Sequence, residues 1–170
     1  SVALCTYNWE EFLPKQLDSI KQQIKPIHEL VVCDDGSRDA TIEILEKFRQ
    51  SVSFPVVIHQ NSSNLGSNKN FEQCLQKCSG EIIFLCDQDD VWMSNKVELM
   101  TAYFHAHSNQ DAVFSNAQII DQRGLKTGNT SFNQIEFNQL AQAIGKNFNR
   151  SALKRPSSVG IFPDPRNFPN

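Results

Sequence analysis

Hydrophobic and polar positions along this chain alternate between two periods. Val2-Ala3-Leu4-Cys5-Thr6-Tyr7 is a short apolar run that ends in polar residues. Glu10 to Gln23 follows, with Phe12, Leu13, Leu17, Ile20 and Ile24 recurring at helical spacing until Pro26 stops the helix. Glu29-Leu30-Val31-Val32-Cys33 is a second run, and Asp39 to Gln50 a second helix with Ile42, Ile44, Leu45 and Phe48 along one side. Phe54 to His59 predicts a third strand, with Pro55 near its start where a missing donor does least harm. Asn68 to Cys78 reads as a helix with Gly80 as its C-cap. Glu81-Ile82-Ile83-Phe84-Leu85-Cys86 is the most continuous apolar run and the expected central buried strand. A helix from Ser94 to His107, strands over Ala112 to Ser115 and Ala117 to Ile120, and a hairpin turn at Arg123-Gly124 complete the readable pattern.

Strand and helix in alternation predict an α/β fold: a mostly parallel, doubly wound sheet with helices on both faces. Ligands of such sheets bind at the carboxyl ends of the strands. The polar residues collect at those ends, as Thr6-Tyr7-Asn8, Asp34-Asp35-Gly36-Ser37 and Asp87-Gln88-Asp89-Asp90.

Composition narrows the classes. The chain has 170 residues, enough for one domain with a real core, and a formal charge of −3 with no basic run. Nucleic-acid binding, which needs a concentrated basic face, is excluded as a function. The five cysteines are odd in number and show no zinc spacing, so they read as small buried hydrophobes in an intracellular protein. No apolar stretch reaches the roughly 18 residues of a spanning helix, and no signal peptide is seen. A cytoplasmic location is expected, with peripheral association at the inner face of the membrane left open. The chain starts at Ser1 with a strand already under way, as a fragment would.

Three carboxylates within Asp87-Gln88-Asp89-Asp90 repel one another at the end of an apolar strand, and a divalent cation removes that cost. Mg²⁺ and Mn²⁺ prefer oxygen ligands, often one or two carboxylates plus substrate phosphates. Asp87 and Asp89, two apart in extended chain, point the same way; Asp90 is read as a cap for the next segment. A solvated acidic turn is the competing reading. Asp34-Asp35-Gly36-Ser37 suits a nucleoside pocket, or equally an ordinary loop in which Ser37 or Asp39 caps the next helix. Tyr7 reads as lying against a base or closing the core, and Trp92 as a sugar platform or core packing. No Gly-x-Gly-x-x-Gly follows the first strand and no Gly-Lys-Ser/Thr loop is present, against a dinucleotide oxidoreductase and a P-loop NTPase. The four histidines show no paired metal spacing.

With these strand ends in place, the chain resembles the family 2 glycosyltransferases, inverting enzymes of the GT-A fold. The residues carrying the resemblance are Val2 to Asn8, Glu29 to Thr41, Asn64-Leu65-Gly66 and Gly80 to Trp92, in matching order over roughly residues 1 to 125. The Asp-Gln-Asp-Asp-x-Trp form looks like the rhamnosyltransferase-like branch of bacterial polysaccharide synthesis. The resemblance implies that Thr6, Tyr7 and Asn8 line the donor site with Asp87 and Gln88. It implies that one of Asp34 and Asp35, preferentially Asp35, binds the base. It implies that Asp89, with Asp87, holds Mg²⁺ or Mn²⁺. The implied reaction transfers a sugar from a UDP or dTDP donor to a saccharide acceptor, with a carboxylate base deprotonating the acceptor.

The division expected is a nucleotide-sugar-binding domain over residues 1–128 and a partial acceptor-side segment over 129–170. Phe132 to Ile144 is compatible with a helix, while Arg155 to Asn170 holds four of the seven prolines and reads as irregular. Asp164, between prolines, is not assigned as the base, and no catalytic residue is named. The competing function is a non-catalytic nucleotide-sugar-binding fragment or interaction module. A nucleotidyltransferase is disfavoured because Thr6-Tyr7-Asn8-Trp9 supplies no Gly-rich basic loop.

Overall fold

A computed structural model of the chain describes residues 1–107, 110–121, 123–130 and 159–161. The expected helix over Phe132 to Ile144 and most of the tail after Arg155 lie outside them. The chain separates into two compact units, Ser1–Ala102 and Tyr103–Asn170; the sequence pattern had drawn its line at residue 128.

The first unit is a four-stranded parallel sheet in the order β3-β2-β1-β4, with β1 at Val2–Thr6, β2 at Leu30–Asp34, β3 at Val56–Gln60 and β4 at Phe84–Cys86. Helices α1 (Leu13–Lys21), α2 (Thr41–Arg49) and α3 (Ser67–Lys77) connect them, and α4 (Lys96–Ala106) follows β4. The first two crossovers step outward in one direction and the third returns past β1, so right-handed connections put α1 and α2 on one face and α3 on the other. The pleat agrees. Odd-numbered Ala3, Cys5, Val31 and Cys33 form one cluster with Cys74 of α3. On the opposite face Cys86, beside Leu4, accepts a hydrogen bond from Gln16 of α1. Helices on both faces are thus observed.

All five residues of β1 and of β2 are buried, because each strand is covered on both faces and both edges. β4 departs from expectation. It is three residues long, lies at the edge of this sheet among the described residues, and leaves Leu85 50% exposed. Leu85 faces the side of α3, whose main packing is over β1 and β2, and stays half exposed. Gly80 also departs: α3 ends at Lys77 with Cys78 as C-cap in extended conformation. Gly80 instead answers to close approach, since a Cβ there would sit 2.6 Å from the backbone N and Oγ of Ser1.

In the second unit, β5 (Ala112–Phe114) pairs in parallel with β8 (Val159–Ile161), and β6 (Gln118–Ile120) pairs antiparallel with β7 (Lys126–Thr130). The hairpin expected at Arg123-Gly124 is present, its turn closed by the Asp121 carboxylate accepting from Arg123 N and Leu125 N. The strand at Val159–Ile161 corrects the reading of the tail as wholly irregular. Three residues are too few to show a period, and the pairing that defines them is long-range.

Candidate functional site

The carboxyl ends of β1 to β4 deliver four loops to one edge of the sheet, and hydrogen bonds lace them together. Asp35 N donates to Thr6 O at 2.9 Å, and Asn61 N to Asp34 O at 2.8 Å. Tyr7 N donates to Gln88 Oε1 at 2.7 Å, joining the β1 end to the acidic loop after β4. Asn8, the one non-glycine with positive φ among the described residues (φ 48), donates from its N to Ser37 Oγ and accepts from Arg38 N, both at 2.8 Å. Asn8 was expected in the donor site. Its side chain instead ties the β1 loop to the β2 loop, and it does not line the pocket described below.

The adjacent acids after β2 have different fates. Asp34, at the last position of β2, is 0% exposed on the face of α1 and α2. Its carboxylate accepts from Thr6 Oγ1 at 2.9 Å, from Ser37 N at 2.8 Å, from Gly36 N at 3.2 Å, and from Ser37 Oγ. That carboxylate braces the loop and does not line the pocket. Asp35, one residue on, falls to the opposite side of the pleat and is 4% exposed. It accepts from Asn61 Nδ2 at 3.0 Å, Leu65 N at 2.8 Å and Gly66 N at 2.9 Å. Burial alone would raise its pKa; those three donors outweigh burial and hold the carboxyl below its ordinary value. Ser37 braces Asp34, and Asp39 accepts from Thr41 N at 3.1 Å just ahead of α2, but the N-cap position itself falls to Ala40, so neither residue takes the N-cap role expected of one of them.

Between these loops lies a cleft of about 290 Å³. Thr6, Tyr7, Asp35, Asp87 and Gln88 line it, which brings together five of the expected donor-site residues. Tyr7 is 44% exposed, so of its two readings the structure supports the pocket wall over core closure. Trp92 resolves the other way: it is buried, 5.7 Å from Phe84 between ring centroids, with Lys96 Nζ 4.5 Å from its own. Missed from sequence were the β3–α3 contributions, Asn64, Gly66, Ser67, Asn70 and Phe71, together with Cys5 of β1. Gly66, at φ +81, turns the chain into α3 there. The four asparagines between 61 and 70 were the signal available.

The acidic loop differs from the β2 end. Asp87 Oδ1 accepts from Gln88 N at 2.9 Å, but no other described residue donates to the side chain of Asp89 or Asp90, so the capping role expected of Asp90 is not seen. The Asp89 carboxyl is held above its ordinary value by burial and then by the charge of Asp87. Asp90 is raised by burial and by Asp89 and Asp87, with Lys96 pulling the other way. Among the described residues no three His, Cys, Asp or Glu side chains converge as a metal cage. All five cysteines are free and four are buried, as expected of small hydrophobes.

Comparison with known proteins matches this arrangement to a known group. The family model for glycosyl transferase family 2 matches residues 1–163. The chain is 28% identical over 126 residues to EpsE of Bacillus subtilis (strain 168), covering 74% of this chain and 45% of that protein. It is 28% identical over 111 residues to the abequosyltransferase RfbV of Salmonella typhimurium (strain LT2), covering 64% of this chain and 33% of that one. Among solved structures, S. aureus TarS 1–349 in complex with UDP superposes with a TM-score of 0.65 at 28% identity, over 74% of this chain and 37% of that fragment. The same fragment has been solved with UDP-GlcNAc. The chain therefore spans less than half the length of these relatives.

Proposed function

The chain belongs to glycosyl transferase family 2, and from that premise we propose that its strand-end cleft binds the nucleoside diphosphate of a sugar donor for transfer to a saccharide acceptor. The observation that carries this reading is a single cleft bounded by both Asp35 and Asp87. Asp35 is ionised and so accepts only, which suits the N–H of a base or the hydroxyls of a ribose. Thr6 and Tyr7 line the nucleoside side of the site, and Gln88 bridges the β1 end to the acidic loop. UDP is the favoured nucleotide, because TarS at 28% identity was solved with UDP and with UDP-GlcNAc; dTDP is the second choice. The abequosyltransferase among the relatives supports transfer of a sugar, and an acceptor in bacterial cell-surface polysaccharide synthesis is proposed with it. A rhamnosyltransferase-like specificity stays within the proposal, as does a cytoplasmic site of action. Among the described residues no helix is long and apolar enough to cross a membrane.

A divalent cation fits the residues present. Asp87 and Asp89 are hard oxygen donors two residues apart, and Asp89 has its carboxyl raised with no donor from another described residue to relieve it. Asp87, which lines the cleft, and Asp89, just past that lining in sequence, would hold Mg²⁺ or Mn²⁺ together with the donor phosphates; among the described residues no three His, Cys, Asp or Glu side chains converge as a metal cage. When bound, such an ion neutralises the departing diphosphate. The acceptor hydroxyl, deprotonated by a carboxylate, attacks the anomeric carbon opposite the diphosphate and inverts it. None of the described residues is assigned as that base.

The test is to incubate the chain with UDP- and dTDP-sugars, Mn²⁺ or Mg²⁺ and saccharide acceptors, scoring donor hydrolysis beside transfer. Metal-dependent release of the nucleoside diphosphate supports the proposal. Binding without turnover supports the alternative, a nucleotide-sugar-binding module lacking the base. Failure to bind any nucleoside diphosphate overturns both.

A further inference from the structure

Behind Asp35 stands a chain of side-chain amides whose polarity is set at one point. Asn70 Nδ2 donates to the main-chain carbonyl of Cys33 at 2.7 Å. A carbonyl can only accept, so the Asn70 amide is oriented and its Oδ1 turns to Asn61. Asn61 Nδ2 donates to that oxygen at 2.9 Å and to Asp35 Oδ1 at 3.0 Å. Asn61 Oδ1 in turn accepts from Gln73 Nε2 at 2.6 Å. Flipping the Asn61 amide would set its carbonyl against the Asp35 carboxylate and the Asn70 carbonyl at once, while leaving Gln73 facing a donor. A backbone carbonyl at the end of β2 thus dictates, through two asparagines, what Asp35 meets. Asn70 is fully enclosed and sits in the first turn of α3, whereas Gln73 is the partly exposed outer end.

The consequence reaches the pocket. Asp35 Oδ1 takes two donors, Asn61 Nδ2 and Leu65 N, and is filled. Oδ2 takes one among the described residues, Gly66 N, and keeps an acceptor lone pair free of them. Resting on the donor-site reading above, we propose that Asn61, Asn70 and Gln73 are positioning residues that hold Asp35 with one free acceptor on Oδ2, so that the cleft selects a pyrimidine whose ring nitrogen between the two exocyclic groups carries a hydrogen. Uracil presents an imide N–H at that position. Cytosine presents a ring nitrogen that is itself an acceptor, and two acceptors face to face repel. The relay therefore acts on which base is bound and leaves recognition of the diphosphate to the acidic loop.

The test is calorimetric titration of the chain with UDP, CDP and inorganic pyrophosphate in the presence of Mn²⁺. The wild type prefers UDP to CDP. Asn61→Ala lowers that preference about tenfold, on the scale of one charge-assisted hydrogen bond lost, and leaves pyrophosphate affinity unchanged. Gln73→Ala, at the outer end where folding is least at risk, lowers it about twofold to threefold. Loss of UDP and pyrophosphate affinity in equal measure would mean a merely structural role and would overturn the proposal, as would an unchanged preference in both variants. Hydrogen exchange of the Leu65 and Gly66 amides gives a readout that needs no ligand. It accelerates in Asn61→Ala if Asn61 holds Asp35, and unchanged protection overturns the relay. A wild type that binds none of the three probes defeats the donor-site reading instead, and the exchange measurement alone then decides the relay.

Discussion

Two acidic strand ends face the same edge of the sheet and have been built in opposite ways. After β2, Asp34 and Asp35 are surrounded by donors from their own fold, and the Asp35 carboxyl is held below its ordinary value. After β4, Asp89 and Asp90 are short of donors, and both carboxyls are held above theirs by burial and mutual charge. The count of donors separates Asp34, whose carboxylate is committed to bracing the loop, from Asp35, which takes three donors while lining the cleft, and from Asp89, which takes none from another described residue.

Breaking the β2 end should have the largest effect. Asp34→Ala leaves Thr6 Oγ1, Ser37 N and Gly36 N facing a void in a fully buried place. It should lower stability by about 3 kcal/mol or more, read by denaturant unfolding. Asp35→Ala frees Leu65 N and Gly66 N, which lie nearer the surface, and should cost about 1–2 kcal/mol while abolishing the preference between UDP and CDP.

The β4 end should respond with the opposite sign. Asp89→Asn removes a carboxyl that its surroundings disfavour as an ion, so without metal the variant should be more stable than wild type at neutral pH. The gain is less than about 1 kcal/mol, since the site is solvent-screened. The pH dependence follows from the two shifts. Asp35 has a folded value below 3.8, so its stabilisation is complete above 3.8 and is lost as pH falls through the lowered value. Asp89 has a folded value above 3.8, so its cost is complete above that raised value and gone below 3.8. The advantage of Asp89→Asn over wild type should therefore vanish in thermal unfolding carried out below pH 3.8.

Much of the fold was legible because β1 and β2 are covered on both faces, and such strands read as unbroken apolar runs. The same signal misplaced β4. Apolarity reports what a segment is made of and not which neighbours reach it, and Leu85 stays half exposed on the face of the sheet that α3 covers over β1 and β2. At the site, Thr6, Tyr7, Asp35, Asp87 and Gln88 were legible as polar residues closing strands, and all five line one cleft. Asp34 and Asn8 were read alongside them because adjacency in sequence does not say which side of the pleat a residue takes. The amide relay was not read from sequence, where Asn70 and Gln73 fell inside an expected helix, since amide side chains acquire direction only from partners distant in sequence, such as Cys33 O for Asn70.

The central claim is that the acidic loop after β4 is the metal and diphosphate end of the cleft. It is tested most directly by calorimetry of UDP binding, with and without Mn²⁺, to the wild type and to Asp89→Ala. The account predicts that Mn²⁺ strengthens UDP binding to the wild type at least tenfold, a coupling of about 1.4 kcal/mol, and leaves binding to the folded variant unchanged. An Asp89→Ala protein that binds UDP with undiminished Mn²⁺ dependence would contradict it.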